Sequence, residues 1–558
     1  MFPQVSRYGW WAALLGTGLG ALCLGPGLAP GYILIQDMVF VPDPVFSPFT
    51  FGLAGGAPRA VPSDLAVTVL AQVLPADLVQ KLVLLGVFAL GCSGAALLVP
   101  GAALAPRLVA GAFYVWNPYV AERLLMGQWA LLLGYAGLPW VVLALARGRL
   151  PAVALLPAAV GGFAAMIVTA VTALPVALSG TARLSGTARL PGTAQRWKRA
   201  GGVALLLVAF SLPWLVTALT RADGLTGDPV GVDAFAARAD GPFGTVVSLL
   251  SLGGIWNAWA VPPGFDHPVT AAARLALVLA GVAGFWLTLK DPKQLLKDPK
   301  QPLKDPKQLL KDPKQPLKDP KQLLKDPESR EGAEAVRFGP GLVVAAGLGF
   351  LIACLGVTEP GRDLLKWLIG VWSGFAVLRD AQQYLAPLAL LAAVGLGMLT
   401  ARVTSRWAVA LALVPLAVVP TLAWGASGAL AAVPYPLSWV EAREVIGRDP
   451  VRGDVLVLPF ESYRRFPWNG DRAVLDPAQR FFATPGREVV VNDSVRVGEL
   501  VVGTEDSRAK RVAAVLGDPR RLAEEGIRYV VVDAGTSGLP GARLVLDRPE
   551  LRLYVVDL

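Results

Sequence analysis

The chain has 558 residues, 54% hydrophobic and 16% charged, with a mean hydropathy of +0.53. A soluble protein carries about a quarter charged residues, so a water-soluble globule is excluded. A single histidine and three cysteines without metal-ligand spacing exclude a histidine-based metal site and a Ser/His/Asp triad, and the net charge of +10 makes no case for nucleic acid, because the repeat between Lys290 and Pro327 supplies half of it.

Apolar windows of about 20 residues, long enough to cross a bilayer, recur along the chain. The first, 9–27, follows Arg7; the GLAPG after it is a poor cleavage site, so it reads as a span rather than a signal peptide. Further spans are expected at about 79–99, 103–117, 128–146, 150–166, 168–180, 201–220, 271–289, 339–357, 384–401 and 407–425, eleven in all. Basic residues collect in alternate connections. These hold Arg107; Arg147 and Arg149; Arg183, Arg189, Arg196, Lys198 and Arg199; the Lys-rich repeat; and Arg402 with Arg406. The positive-inside rule makes those connections and the N-terminus cytoplasmic. The spans 150–166 and 168–180 are short and read equally as a re-entrant pair. Merging them into one crossing would invert everything downstream.

On the other side lie four loops. The first, 28–78, runs from GYILIQDMVFVPDP through GGAPRAVPSD to LAVTVLAQVL, an apolar helical stretch suited to the membrane interface. The second is WNPYVAERLLMGQW, 116–129. The third, 221–270, carries IWNAWAVPP and the lone histidine in FDHP, and the fourth, 358–383, ends in LRDAQQY. The KDPKQLL repeat has the period of a coiled coil. Its prolines forbid one, at about 3 kcal/mol each inside a helix, so 290–337 is expected to be a disordered cytoplasmic loop near anionic headgroups. SGTARLSGTARLPGTA at 179–194 reads the same way. After Trp424 the β-branched runs GDVLVLPF, REVVVND, IRYVVVDA and LRLYVVDL alternate with SRAKRVAAVLG and PRRLAEEG, the pattern of a small α/β domain over 426–558. It has no phosphate loop, nucleophile elbow or metal cluster, and reads as a binding or lid domain outside the cell.

A first span followed by a large outer loop with an aspartate close to the membrane resembles the GT-C superfamily, membrane glycosyltransferases that use polyprenyl-phosphate sugars. DMVFVPDP with GGAPRAVPSD, NPYVAERLLMGQWALLLGYAGLPW and LRDAQQYLA resemble actinobacterial members, among them arabinosyl- and mannosyltransferases. The resemblance implies a GT-C-like fold for the 1–425 membrane domain in a plasma membrane. It implies a polyprenyl-phosphate sugar as donor, an envelope glycan or glycolipid as acceptor, and no cofactor beyond a possible divalent cation. One feature departs from that pattern: the two adjacent carboxylates common in such first loops are absent. Here Asp37 follows Gln36, and Asp43 comes six residues later.

The residues make their own case. Transfer from a lipid phosphate needs a base for the acceptor hydroxyl proton and a cation for the departing phosphate, both at the interface. A partly desolvated aspartate is the better proton acceptor. Asp37 is the first choice and Asp43 the second. Arg59, Arg123, Arg379 and, further back, His267 are the phosphate candidates, with Glu122, Asp380 and Gln382 beside them. Each has a plainer reading. Asp37 caps a helix, Asp43 sits in a turn framed by Pro42 and Pro44, Glu122 and Arg123 pair with each other, and Arg379 with Asp380 anchors a span. His267 is then a solvated loop residue. Trp256, Trp259, Trp367 and Trp372 are most simply belt aromatics, with sugar stacking as the secondary reading. The rival functions are a transporter or flippase of lipid-linked precursors and an inactive GT-C-like scaffold. Polar residues gather in the outer loops rather than at mid-membrane, which favours the enzyme.

Overall fold

A computed structural model describes residues 7–56, 58, 60–101, 103–179, 193–220, 227–290, 327–402 and 413–557, with backbone alone for 327–337. Arg59, Arg183, Arg189 and Arg406, nearly all of both repeats, and the start of the last expected span lie outside the described residues. The helices of the N-terminal part are α1 Arg7–Leu24, α2 Ser63–Ala71, α3 Ala76–Leu98, α4 Leu104–Val115, α5 Pro118–Leu125, α6 Trp129–Ala146, α7 Leu156–Ser179 and α8 Thr193–Thr220. They continue as α9 Val230–Ala234, α10 Thr245–Leu250, α11 Pro268–Lys290, α12 Pro327–Leu355, α13 Glu359–Val371 and α14 Ala386–Thr400. Lipid offers the backbone no hydrogen bonds, so these Ala/Leu/Val runs satisfy their own as helices.

Among the described residues, eight helical segments are long and apolar enough to cross a membrane, and the chain is a multi-pass membrane protein. The expected eleven differ from these for local reasons. The 103–117 span is the 12-residue α4, too short to count by length alone. In the last expected span, Trp424, Gly425 and Ala426 have positive φ and break the helical pattern. The helix α12 starts at Pro327, inside the segment expected to be disordered.

The short spans 150–166 and 168–180 are one element, α7, folded on itself. Gly162 has φ 78° and ψ −157°, a conformation open to glycine. A Cβ on Gly134 of α6 would touch Ala165 and lie 3.5 Å from the Cα of Ala158. Residues seven apart in an unbroken helix are about 10.5 Å apart, so the chain turns back at Gly162. The re-entrant reading holds, and α7 begins and ends at the same end of the bundle.

The two ends of the bundle differ in charge. At one end Arg107 lies over Tyr8, 5.0 Å from its ring centroid, and the Arg199 guanidinium donates to Leu145 O. Arg402 donates to Thr288 Oγ1 at 3.5 Å at the same end. The other end carries the polar loops and the C-terminal domain.

In that domain the strands are β3 Asp454–Leu458, β4 Tyr463–Arg465, β5 Ala473–Leu475, β6 Val489–Val490, β7 Val495–Val497, β8 Leu500–Val502, β9 Ile527–Asp533, β10 Arg543–Asp547 and β11 Leu551–Val555. They follow β1 Tyr32–Ile33 and β2 Ala432–Val433. A five-stranded sheet has the order β10-β11-β9-β3-β6, with β3 parallel to β9 and β6 and the other neighbours antiparallel. Its strands contain the four β-branched runs, and their side chains alternate: Val455, Val457 and Val531 face one core, Leu456, Val530 and Val532 the other.

The seam between the two halves of the molecule is the segment that opens the first loop. β1 pairs with β2, and Gln36 continues the pairing with 2.7 Å and 2.8 Å backbone bonds to Ala473 and Leu475 of β5. Ile33, Ile35, Met38 and Phe40 enter the bundle core, while Leu34, Val39 and Val41 enter the domain core. Each such burial contributes about 1.5–3 kcal/mol, so this strand fastens the domain to the bundle.

Candidate active site

The residues of interest converge on α5 and the turn that follows it. Asn117 caps α5, its Oδ1 accepting the Val120 N–H at 3.1 Å, and Pro118 occupies the first helical position. The helix stops at Met126 because Gly127 takes φ +75°. A Cβ there would come within 2.7 Å of Asp37 N and closer still to Met38 N and Ile35 O, all backbone atoms. The seam strand therefore rests directly on Gly127, and Asp37 N–H donates to Met126 O at 3.1 Å. The Asp37 carboxylate, partly exposed, accepts a hydrogen bond from the Tyr463 hydroxyl of β4. Membrane bundle, first loop and C-terminal domain thus meet at this one carboxylate.

The neighbouring α5 residues do not form the local ion pair expected of them. Arg123, 1% exposed, turns to Asp380, donating from Nη1 at 2.6 Å and Nη2 at 3.1 Å; Gln128 Oε1 accepts a further bond at 2.8 Å. Glu122 faces the other way, its Oε2 accepting the Ile255 N–H at 3.2 Å. Its other oxygen approaches Asp240, whose Oδ2 accepts the Gly254 N–H at 2.8 Å. Burial, then the Asp240 carboxylate, pushes the Glu122 carboxyl well above the usual range. Glu122 is therefore held toward its neutral form.

Arg379 is engaged on several sides. Its Nε donates to Ala376 O at 3.1 Å, its Nη2 is 3.6 Å from Glu505 of the C-terminal domain, and it lies over the Phe235 ring. Gln382 donates to Phe235 O at 3.0 Å, and its Oε1 is buried without a partner among the described residues. Asp43 sits apart in the expected proline-framed turn, with φ +47°, exposed, its carbonyl accepting from Arg443 at 2.6 Å. His267 is exposed at the start of α11, its carbonyl accepting the Ala271 N–H at 3.0 Å. The structure gathers Asp37, Glu122, Arg123 and Asp380 about α5 and the turn after it, places Arg379 and Gln382 against Phe235, and leaves Asp43 and His267 outside that cluster.

Several participants carried no pattern in the sequence: Tyr463 in ESYRR, Asp240 in RADGP, and Gly127 in MGQW. An open cleft adds two more. It runs between residues 39–50, α2 and residues 479–483, lined by Phe40, Phe49, Thr68 and Trp129. In it Arg480 Nε bonds Asp64 Oδ2 at 2.7 Å, while Arg480 Nη1 is buried with no partner among the described residues. On the same flank α2 exposes Val69, Leu70 and the following Val73, an apolar face of the kind that lies in a membrane interface. Among the described residues no group of three or more His, Cys, Asp or Glu is arranged to hold a metal ion.

A bundle of apolar helices with a long first loop, capped at its polar end by a strand-containing domain, is a fold this chain shares with two solved structures. They are two cryo-EM structures of the arabinofuranosyltransferase AftD from Mycobacteria, one of a mutant form. TM-scores are 0.53 and 0.55 at 17% identity, over 99% of this chain and 40% and 42% of theirs. This chain spans about two-fifths of the length of those proteins, and the likeness is one of fold. No protein-family model and no curated protein matches the sequence.

Proposed function

We propose that the chain is a membrane glycosyltransferase that moves a sugar, a pentofuranose by analogy with its structural neighbours, from a polyprenyl phosphate to an envelope glycan at the outer face of the plasma membrane. The observation that carries this reading is the position of Asp37: a carboxylate at the seam of bundle and domain, its backbone clamped by Gly127 and its side chain held by Tyr463. The basic end of the bundle is then cytoplasmic.

In the proposed reaction the acceptor hydroxyl loses its proton to Asp37 as its oxygen bonds the anomeric carbon. The bond from that carbon to the phosphate oxygen breaks, and polyprenyl phosphate leaves with the electron pair. A lipid whose tail stays in the bilayer reaches this point along the apolar cleft, where Arg480 has an N–H to spare for a phosphate oxygen. Arg123, already bound by Asp380 and Gln128, holds α5 in place. A divalent cation, if the reaction uses one, would bind with the donor phosphate. The test is transfer by the intact protein in membranes from a panel of polyprenyl-phosphate pentoses and hexoses to envelope acceptors. Transfer from at least one donor is expected. Failure with all of them, alongside movement of a lipid-linked sugar between leaflets, would favour the flippase reading.

A further inference from the structure

Residues 251–257 are buried, and so is Ala260, but between them Ala258 and Trp259 are exposed. Trp259 is 76% exposed. The turn that carries it is rigid. Asn257 Oδ1 accepts the Trp259 N–H at 3.0 Å, and the Asn257 amide donates to Met126 Sδ at 3.3 Å. Met126 is the residue whose carbonyl accepts the Asp37 N–H, so the turn and the candidate base share one anchor. Holding the largest side chain out of the core on a fixed support forfeits burial that would stabilise the fold, and exposed apolar surface of this kind marks a contact site.

The surroundings of the ring say what the contact is. The Arg465 guanidinium lies over it, 5.4 Å from the centroid. Arg465 is two residues along β4 from Tyr463, so the two side chains leave the same face of the strand about 7 Å apart. Tyr463 in turn holds Asp37. Among the other exposed tryptophans, Trp10 and Trp11 stand with Leu14 and Trp367 with Leu364 and Val371, while Trp286, with the Lys290 ammonium 5.4 Å from its ring centroid, lies on the membrane-crossing helix α11. Trp259 has a cation on one side and the hydroxyl–carboxylate pair one strand step away. This suits a pyranose or furanose ring, whose C–H face stacks on indole while its hydroxyls meet the guanidinium.

We infer that Trp259, braced by Arg465, is the platform for a sugar unit of the acceptor glycan, next to the hydroxyl that Asp37 deprotonates. The inference rests on the transferase reading for the identity of its ligand. Its test measures binding without donor: calorimetric titration of the full-length protein in nanodiscs with an arabinofuranose tetrasaccharide. Trp259→Ala should weaken binding about tenfold, and Trp259→Phe about threefold or less. Trp367→Ala, which changes an exposed tryptophan among aliphatic side chains, should leave it alone.

An unchanged dissociation constant in Trp259→Ala overturns the inference, and so does a wild type that binds no tetrasaccharide. A Trp259→Ala defect confined to the flotation of detergent-freed protein with anionic lipid vesicles would make the residue a membrane anchor and also overturns it. Tetrasaccharide binding that depends on Trp259 with no transfer from any donor would keep the platform and remove the enzyme. Transfer with an unaltered acceptor KM in Trp259→Ala would do the reverse.

Discussion

At the scale of single residues, the account rests on how Asp37 is held. Nothing in an aspartate marks it as a base; what distinguishes this one is a backbone pinned by Gly127 and a carboxylate held by Tyr463. Gly127→Ala should therefore act on the site as well as on the fold. Its Cβ meets three backbone atoms of the seam strand at a positive φ, so residues 35–38 must shift. A displacement of about 1 Å can cost about 100-fold in rate. The expected outcome is a loss of transfer of that order together with a lower detergent melting temperature; full activity in Gly127→Ala would free Asp37 from the role. The sequence ranked Asp37 first and Asp43 second: an acid in an apolar run is costly, which singles out Asp37, while the prolines on either side of Asp43 mark a turn. Tyr463 and Asp240 were not legible, since each reaches its partner across hundreds of residues of chain or through a loop without periodicity.

At the scale of elements, α5 is eight residues that the bundle buries on every side. Its two charged residues face opposite directions, Arg123 toward Asp380 and Glu122 toward the Ile255 N–H and the Asp240 carboxylate. The second arrangement has a pH consequence. The Glu122 carboxyl sits above its unfolded range of about 4.3, so the folded protein binds more protons than the unfolded one over that interval. This contribution to stability is present below about pH 4.3 and is lost as pH rises through the raised folded value. Glu122→Gln, which fixes the protonated shape, should melt at higher temperature than wild type at neutral and alkaline pH, and the gap should close toward pH 4. A melting series in detergent from pH 4 to 9 checks this, and a gap that widens at low pH would contradict the raised Glu122 carboxyl.

The same scale shows why the seam was misjudged from sequence. YILIQDMVFV is apolar on both sides of Gln36 and Asp37, the pattern of a strand buried on both faces. With no partner strand nearby in sequence it read only as the start of the first outer loop. Its partners, β2 and β5, lie about 400 residues on. The C-terminal strands were legible because their β-branched runs are regular and bounded by turn residues.

At the scale of the molecule, the parity of the chain depends on Gly162. Folded back there, α7 starts and ends at the basic end, and residues 228–267 and the C-terminal domain share the polar end with Asp37. A single straight crossing would send α8 the wrong way. Impermeant maleimide labelling of Arg149→Cys, Thr193→Cys and His267→Cys, in a Cys354→Ala background, reads this directly. Arg149→Cys and Thr193→Cys should label from the same face and His267→Cys from the opposite one; Thr193→Cys labelling with His267→Cys would contradict the fold-back. Loop charges could foretell the two ends. They could not decide between two short spans and a hairpin, because that choice lies in one glycine's φ and in the approach of Ala158 and Ala165 to one turn of α6.

The central claim is that Asp37 takes the acceptor proton, and the most direct measurement compares wild type with Asp37→Asn in membranes supplied with the donor the wild type uses. Asparagine keeps the shape and the Tyr463 contact but is not a base. The account predicts that kcat falls about 100- to 10,000-fold while the KM for the lipid donor changes little. Turnover by Asp37→Asn within a factor of about three of wild type would contradict it.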